Sequence, residues 1–176
     1  MRHSHKMPFG AEVKDDGSVR FRLWAPSARK VELCMEHIGR ICFEAKMDES
    51  GDGFYELVTR EAKPGSLYRF RINGETLVPD PASRFQPEDA LGPSLVVDPE
   101  AFDWQDGGWK GRPWEEMAFY EIHVGAYTPR GRFISLKERL DHLADLGVTA
   151  LQIMPVNSFP GKRNWGYDGV LIYAPE

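Results

Sequence analysis

The stretch Val19-Arg20-Phe21-Arg22-Leu23 decides the fold of the first half of the chain. Its apolar residues fall on one side of an extended backbone and its two arginines on the other, the pattern of a strand with one buried face. The same alternation recurs at 31–35, 41–43 and 68–72. Repetition with a period of two predicts an antiparallel sheet that continues to about residue 78.

Turn-forming residues separate these runs, and a proline-rich segment follows them. Asn73-Gly74 is a strong signal for a type I′ hairpin. Six or more short strands with regular turns predict an immunoglobulin-like β-sandwich. Five prolines between residues 78 and 99 exclude a helix or a central strand there, so residues 1–98 are interpreted as the sandwich with its connector. Residues 99–116 form a linker with three tryptophans, expected to pack onto neighbouring parts rather than to bind a ligand.

The pattern changes after Pro113. Residues 117–124 are nearly continuous in apolar and aromatic residues, as in a strand buried on both faces. Ser135-Leu136-Lys137-Glu138 fits a capping box and predicts a helix that ends at Gly147, with leucines at 136, 140, 143 and 146 on one face. A second buried strand is predicted at 148–154, which completes one βαβ unit. One unit cannot cover its own sheet, so we expect the chain to be the front portion of a larger enzyme.

Composition and charge exclude several classes of protein. With 41% apolar and 28% charged residues, the chain has the composition of a soluble globular protein. A net charge of −5 argues against a nucleic-acid partner. Neither a secretory leader nor an apolar stretch long enough to span a bilayer is expected, which excludes a membrane partner. Cys34 and Cys42 are expected to be reduced thiols in a cytoplasmic protein.

Four motifs resemble a known enzyme family. Phe21-Arg22-Leu23-Trp24-Ala25-Pro26 resembles the start of the N-terminal sandwich of branching and debranching enzymes in the α-amylase superfamily. Three more specific motifs resemble the malto-oligosyltrehalose trehalohydrolases: Val78-Pro79-Asp80-Pro81-Ala82-Ser83-Arg84-Phe85-Gln86-Pro87, Gly111-Arg112-Pro113-Trp114-Glu115-Glu116 and Asn164-Trp165-Gly166-Tyr167-Asp168-Gly169-Val170. The resemblance runs from about Phe9 to Glu176. Leu91 and Asn157-Ser158 depart from the family pattern, which affects only loop details.

The resemblance implies a retaining glycoside hydrolase that releases trehalose from maltooligosyl trehalose. Its catalytic domain would be a (β/α)8 TIM barrel, of which residues 117–176 are the truncated start. The nucleophilic aspartate and the acidic glutamate of such an enzyme stand about 5–5.5 Å apart. In the family they lie on later strands, so we expect no catalytic residue in this chain, no activity from it alone, no metal and no cofactor. The implied ligand is a maltooligosaccharide or maltooligosyl trehalose.

Four residues are predicted to bind substrate. Active sites of barrels lie at the carboxyl ends of the strands, so substrate contacts are expected after the second strand. The resemblance implies that Tyr167 is an aromatic platform beneath a sugar. Asp168 suits a hydrogen bond to a sugar hydroxyl or to its own loop. Trp165 and Asn164 lie in the same loop and serve either sugar binding or loop packing.

Other polar and aromatic residues fit structural roles better. Glu121 and His123 are interpreted as polar residues satisfied in the core. Trp24 is expected to pack between the sandwich and the barrel rather than to bind glucan. His3 and His5 are not assigned a metal, because polar termini are usually frayed. Residues expected to cap turns are the connector carboxylates Asp80, Asp89 and Asp98.

Three other functions stay open. Within the enzymes, a glycogen branching or debranching enzyme shares the sandwich and the start of the barrel. A stand-alone carbohydrate-binding module would recruit glucan and do no chemistry. A third alternative is a sandwich that binds another protein. The βαβ unit and the motif at 164–170 favour the hydrolase, since a stand-alone module has no use for them.

Overall fold

The structure, a computed structural model, describes residues 7–176. These residues form two compact units. The first contains residues 7–103 together with 157–162 and 170–176, and the second contains residues 104–156 and 163–169.

The strands and helices are short. In chain order they are β1 (Gly10–Val13), β2 (Val19–Trp24), β3 (Val31–His37), β4 (Arg40–Lys46), β5 (Asp48–Glu49), β6 (Phe54–Thr59), β7 (Leu67–Ile72), β8 (Thr76–Val78), β9 (Ser94–Leu95), β10 (Phe119–Ile122), α1 (Val124–Tyr127), α2 (Phe133–Lys137), α3 (Leu140–Asp145), β11 (Ala150–Ile153), β12 (Asn157–Ser158) and β13 (Leu171–Pro175). Single 3-10 turns occur at Pro99–Ala101 and Trp114–Glu116. None of the helices in this part of the chain is long and apolar enough to cross a bilayer.

The first unit contains the predicted β-sandwich. One sheet has the strand order β1-β2-β6-β5 and the other β4-β3-β7-β8, with β9 also paired to β7. Apolar side chains from both sheets form a single core, in which the rings of Phe21 and Tyr68 meet edge to face at 4.8 Å. The alternation at 19–23 is confirmed, since Val19, Phe21 and Leu23 are buried.

The predicted hairpin after β7 is confirmed. Asn73 and Gly74 have φ values of +54° and +79°, and the Glu75 amide donates to the Ile72 carbonyl. Positive φ at both central residues defines a type I′ turn. The strand β8 then begins at Thr76, one residue later than the turn.

Strand β3 departs from simple alternation. Cys34 is buried, although it lies on the opposite face from Leu33 and Met35. The strand is central, with β4 on one side and β7 on the other. Cys34 lies opposite Glu44 of β4 and Arg69 of β7, and the Glu44 carboxylate accepts a hydrogen bond from the Arg71 guanidinium. A half-exposed face predicted from alternation is therefore covered by charged side chains at this position.

The second unit contains the predicted parallel strand pair but not its predicted burial. β10 and β11 run parallel, with Phe119 opposite Ala150 and Ile122 opposite Ile153. Ile122 is buried, whereas Phe119 is 50% exposed and Tyr120 is 39% exposed. The prediction of strands buried on both faces is wrong, because helices pack against this pair only through a small cluster around Ile122, Leu136 and Leu143. The rest of a TIM barrel is not shown by residues 7–176.

The predicted capping box is also wrong. Ser135 is the third residue of α2, and its hydroxyl accepts from the Arg132 amide at 3.3 Å and lies 2.6 Å from the Thr128 hydroxyl. Arg139, at φ −108° and ψ 1°, separates α2 from α3, so the single predicted helix is two short ones. As a result Leu136 and Leu143 are buried, but Leu140 and Leu146 are exposed.

The tryptophan-rich linker does not bury its aromatic side chains. Trp104, Trp109 and Trp114 are 68%, 78% and 72% exposed. Trp114 makes a tilted ring contact with Phe119 at 5.2 Å. Trp114 thus makes one contact of the expected kind, while all three rings keep most of their surface exposed; packing of the linker onto its neighbours stays a prediction.

Candidate functional site

The four predicted substrate-binding residues lie in one loop that connects β12 to β13. These two strands pair antiparallel, and the Val170 amide donates to the Ser158 carbonyl at 2.9 Å. The Asn157 side-chain amide donates to the Ile172 carbonyl at 2.8 Å. The pairing closes the base of a loop whose tip spans residues 163–169, which we name the candidate loop.

Asn164 shapes the candidate loop from within. Its side-chain oxygen accepts from the Gly166 amide, and its main-chain carbonyl lies 3.2 Å from Nε2 of His123. A carbonyl oxygen only accepts, so His123 donates through Nε2. Gly166 has a φ of +97°, and a Cβ there would lie 3.3 Å from the Pro155 carbonyl oxygen. A side chain at residue 166 would therefore strain the backbone on which Trp165 and Tyr167 stand.

The aromatic side chains of the candidate loop are open to solvent. Trp165 is 86% exposed and Tyr167 is 73% exposed. Asp168 is also exposed. In the described range, no hydrogen bond or ion pair ties down the side chains of these three residues, so the structure places them in one loop without joining them to each other.

This arrangement has the chemistry of a sugar contact. An aromatic ring offers an apolar face, which suits the C–H face of a pyranose, and the phenolic hydroxyl of Tyr167 remains able to donate or accept. The Asp168 carboxylate accepts hydrogen bonds, which suits neighbouring sugar hydroxyls. The loop supplies binding groups but no pair of carboxylates for acid and nucleophile.

Glu121 and His123 are structural at the end of β10. Glu121 is exposed and accepts from the Gln152 side chain across the strand pair at 3.3 Å. It is hydrogen-bonded as predicted, but it is not in a core. His123 is half-buried, and its second ring nitrogen, Nδ1, is buried without a hydrogen-bond partner within residues 7–176. Its contact with the Asn164 carbonyl makes it a support of the candidate loop.

A buried carboxylate in the connector was not predicted. The Asp80 carboxylate accepts from the Tyr68 hydroxyl at 2.6 Å and from the Ala82 amide at 2.8 Å. Its own amide donates to the Ser94 hydroxyl at 3.0 Å. Burial raises the pKa of Asp80 from 3.8 to about 6, against the opposing effect of the Tyr68 hydrogen bond. The sequence predicted that Asp80 caps a turn. It held no signal for the contact with Tyr68, because Tyr68 lies on β7, twelve residues earlier in the chain.

The other connector carboxylates cap turns as predicted. Asp89 accepts from the Leu91 and Gly92 amides at 2.7 and 3.0 Å. Asp98 accepts from the Glu100 amide at 2.9 Å. Both roles are local and leave no partner for acid–base chemistry.

Trp24 presents a second exposed aromatic face, on the sandwich. It is 61% exposed within the described residues, and its packing between sandwich and barrel stays a prediction. Its indole nitrogen donates to the Asp52 carbonyl at 3.1 Å. The ring is therefore anchored at one edge while a face remains open.

A groove also lies on the sandwich unit, lined by residues of β3, β7 and the connector. The groove is polar, and its side chains include Glu36, Arg69, Glu88 and Asp89. The Arg69 guanidinium donates to the Glu36 carboxylate at 2.5 Å. No aromatic ring is among its lining residues, so it offers no surface for stacking a sugar.

Metal and thiol chemistry find no support in the described part of the chain. Residues 7–176 hold no cluster of three or more histidine, cysteine or acidic side chains that suits a metal ion. His3 and His5 lie outside the described residues. Cys34 and Cys42 are both free, and burial raises the pKa of the Cys34 thiol.

The chain is similar to several named enzymes and to a solved structure. It is 40% identical to a malto-oligosyltrehalose trehalohydrolase of Saccharolobus solfataricus over 96% of this chain and 29% of that protein. It is also 40% identical to the Deinococcus radiodurans protein of the same name, over 99% of this chain and 28% of that protein. A crystal structure of a candidate alpha amylase from Salmonella typhimurium superimposes with a TM-score of 0.90 and 45% identity, over 97% of this chain and 28% of that one.

The chain thus spans less than a third of the length of these relatives. The family model for carbohydrate-binding module 48, described as the isoamylase N-terminal domain, matches residues 8–99. This match covers the sandwich strands and the connector, including Asp80 and Trp24. The chain belongs to the family of carbohydrate-binding module 48.

Proposed function

We propose that the chain is the N-terminal part of a malto-oligosyltrehalose trehalohydrolase, a retaining glycoside hydrolase that releases trehalose from maltooligosyl trehalose. The observation that carries this proposal is the 40% identity to enzymes of that name over 96% and 99% of the chain. The identity extends well beyond the sandwich of the module family, which ends at residue 99. The second unit and the candidate loop therefore share in the likeness.

The residues of this chain supply binding rather than bond cleavage. A retaining hydrolase needs a nucleophilic carboxylate and an acid about 5–5.5 Å apart. Glu121, on β10, is exposed and hydrogen-bonded to Gln152. The (β/α)8 barrel and its catalytic acids belong to the proposal for the whole protein, whose cytoplasmic location is likewise a prediction.

Within this chain, Tyr167 is the proposed sugar platform, with Trp165 and Asp168 beside it and Asn164 shaping the loop. Their exposure and the anchoring of the loop backbone support this role. The polar groove of the sandwich offers charged groups without a ring. An aromatic face is the feature that an α-glucan needs most, so the loop is the better sugar site.

The binding role is tested by titrating the chain with maltooligosyl trehalose in a calorimeter. Removal of the ring in Tyr167→Ala is expected to weaken binding at least tenfold, the equivalent of about 1.4 kcal/mol. Trp109→Ala is the matched control, because Trp109 is 78% exposed but lies in the linker. Equal binding by the wild type and Tyr167→Ala would refute the platform role.

One observation favours a second candidate, glucan binding by the sandwich itself. The Trp24 ring is 61% exposed and anchored through its indole nitrogen, as a stacking surface requires. In the same titration, Trp24→Ala decides this candidate. A loss of binding in Trp24→Ala, with none in Tyr167→Ala, would favour a carbohydrate-binding module without chemistry.

The reaction is tested on the full-length protein. Incubation with maltooligosyl trehalose is expected to release free trehalose. Incubation with amylose is the discriminating control, since new α-1,6 branches would support a branching enzyme instead.

A further inference from the structure

His123 has a fixed position at the carboxyl end of β10. It follows the buried Ile122, and its main-chain carbonyl accepts from the Ala126 and Tyr127 amides of α1 at 3.0 and 2.9 Å. A Cβ added to Gly125 would lie 3.1 Å from Cε1 of the imidazole, so this glycine packs closely against the ring. The backbone and the ring of His123 are therefore both held by contacts within the second unit.

The imidazole directs one nitrogen at the candidate loop. Nε2 lies 3.2 Å from the main-chain oxygen of Asn164, while Nδ1 is buried and has no hydrogen-bond partner among the described residues. A carbonyl oxygen only accepts, so the proton of the neutral ring belongs on Nε2. A proton on Nδ1 would instead leave a buried N–H without an acceptor and the Asn164 carbonyl without this donor, which is the costlier arrangement.

The hydrogen bonds of Asn164 hold the peptide groups on both sides of Trp165. The Asn164 carbonyl belongs to the peptide group that precedes Trp165. The Gly166 amide, which donates to the Asn164 side-chain oxygen, belongs to the peptide group that follows it. Because peptide groups are planar, holding both limits the two backbone torsions of Trp165 and with them the direction of its side chain.

Trp165 thus combines a held backbone with an open ring. Its side chain is 86% exposed. Its neighbour Gly166 lies so close to the end of β11 that an added Cβ would stand 3.3 Å from the Pro155 carbonyl oxygen. A ring on such a backbone loses less conformational freedom when it meets a ligand than a ring on a mobile loop does. All of these contacts lie within the second unit.

We propose that His123 is a positioning residue for sugar binding. Through the Asn164 carbonyl it holds the backbone of Trp165, so that the indole is already presented when the sugar arrives. This inference rests on the proposed sugar-binding function of the candidate loop. It assigns Trp165 to sugar binding as a second ring beside Tyr167, rather than to packing of the loop.

Two substitutions of His123 test the hydrogen bond. His123→Gln places an amide N–H group the same number of bonds from Cβ as Nε2, so it can still donate to the Asn164 carbonyl. His123→Asn places its amide at the distance of Nδ1 and does not reach. In calorimetric titration with maltooligosyl trehalose, His123→Asn is expected to weaken binding roughly two- to tenfold, the factor that corresponds to one hydrogen bond. His123→Gln is expected to bind like the wild type, and a loss equal to that of His123→Asn would overturn the role of the hydrogen bond.

A double substitution tests whether the effect passes through Trp165. Trp165→Ala alone is expected to weaken binding, because it removes the ring. Adding His123→Asn to Trp165→Ala is expected to cost little more, since the ring that His123 positions is then absent. A further loss as large as the loss in the wild-type background would overturn the path through Trp165.

Amide hydrogen exchange on the complete chain locates the effect. His123→Asn is expected to speed exchange of the Gly166 amide roughly two- to tenfold. The Met154 amide, which donates to the Ile122 carbonyl at 3.0 Å, is the internal control and is expected to stay unchanged. Equal acceleration at Met154 would make His123 a general support of the strand pair and would overturn the proposal. So would an NMR spectrum of the ring nitrogens that places the proton of His123 on Nδ1.

The binding results separate this inference from the proposed function. Unchanged binding in both Tyr167→Ala and Trp165→Ala would refute the sugar site, and the positioning role with it. Weaker binding in both of these variants, together with wild-type binding in His123→Asn, would refute the positioning role alone.

Discussion

The two compact units differ in how completely they cover their apolar side chains. In the sandwich, Phe21 and Phe70 are both 0% exposed, because each sheet covers the inner face of the other. On the parallel pair of the second unit, Phe119 is 50% exposed and Ile153 is 37% exposed. An apolar sequence pattern, alternating or continuous, thus predicts burial only where a second layer lies against the strand.

The largest expected effect comes from breaking the sandwich core. Phe21→Ala removes a fully buried ring that meets Tyr68 at 4.8 Å. Such a truncation is expected to lower the free energy of unfolding by about 3–5 kcal/mol. Phe119→Ala is the matched control in the second unit. Because this ring is half-exposed, its removal should lower the free energy of unfolding by no more than about 1 kcal/mol. Denaturant unfolding of both variants measures the difference, and equal losses would contradict it.

A smaller effect is expected from the buried Asp80 carboxyl in the connector, which should make the stability depend on pH. Burial raises the pKa of Asp80 from 3.8 to about 6, so the folded protein holds this proton more tightly than the unfolded chain does. The stability that the neutral carboxyl contributes is fully present below pH 3.8 and is lost as the pH rises through 6. The shift corresponds to a loss on the order of 3 kcal/mol.

Asp80→Asn removes this titration and keeps hydrogen-bonding groups toward Tyr68 and Ala82. Its unfolding free energy should exceed that of the wild type at pH 7, with the difference shrinking toward zero near pH 4. Chemical denaturation at several pH values measures it. A wild type and variant whose curves stay parallel over that range would show that Asp80 is not held with a raised pKa.

The smallest effect concerns the end of α3. Gly147 has a φ of +92°, and a Cβ there would meet nothing within 4 Å. Gly147→Ala is expected to destabilise by about 1 kcal/mol, through backbone strain alone. Gly107→Ala is the control, since its site is also open and its φ is not in the left-handed region. Thermal unfolding compares the two, and equal midpoints would contradict the predicted cap.

The sandwich was predictable from sequence because its signals are local and mutually consistent. A few neighbouring residues determine the conformation in both places: an extended strand at 19–23 and a type I′ turn at Asn73-Gly74. The parallel order of β10 and β11 also followed from the pattern of strand, helix and strand. Gly147 was identified as a helix end for the same reason.

The sequence-based predictions failed where contacts with residues outside the local motif determined the structure. Ser135 matches a capping box in sequence, yet its hydroxyl contacts Arg132 and Thr128. Cys34 alternates in sequence with the core residues Leu33 and Met35, yet it is buried as well, because it lies on a central strand opposite Glu44 and Arg69. The contact between Asp80 and Tyr68 joins residues twelve apart, and the contact between Arg84 and Tyr173 joins the connector to the last strand. Neither can be derived from spacing.

For the candidate loop, the motif at 164–170 identified the residues, and the structure shows the hydrogen bonds that hold their backbone. Tyr167 and Trp165 were identified from a motif, and their exposure agrees with a binding role without testing it. The sequence held no signal for the anchoring of Asn164 by His123, forty-one residues away.

In the function proposed above, this chain contacts an α-glucan through the loop between β12 and β13. The most direct measurement is the backbone NMR spectrum of the chain during titration with maltooligosyl trehalose. The account predicts saturable shifts concentrated in the amides of residues 163–169. Shifts confined to the strand ends around Trp24, or none at all up to millimolar sugar, would contradict it.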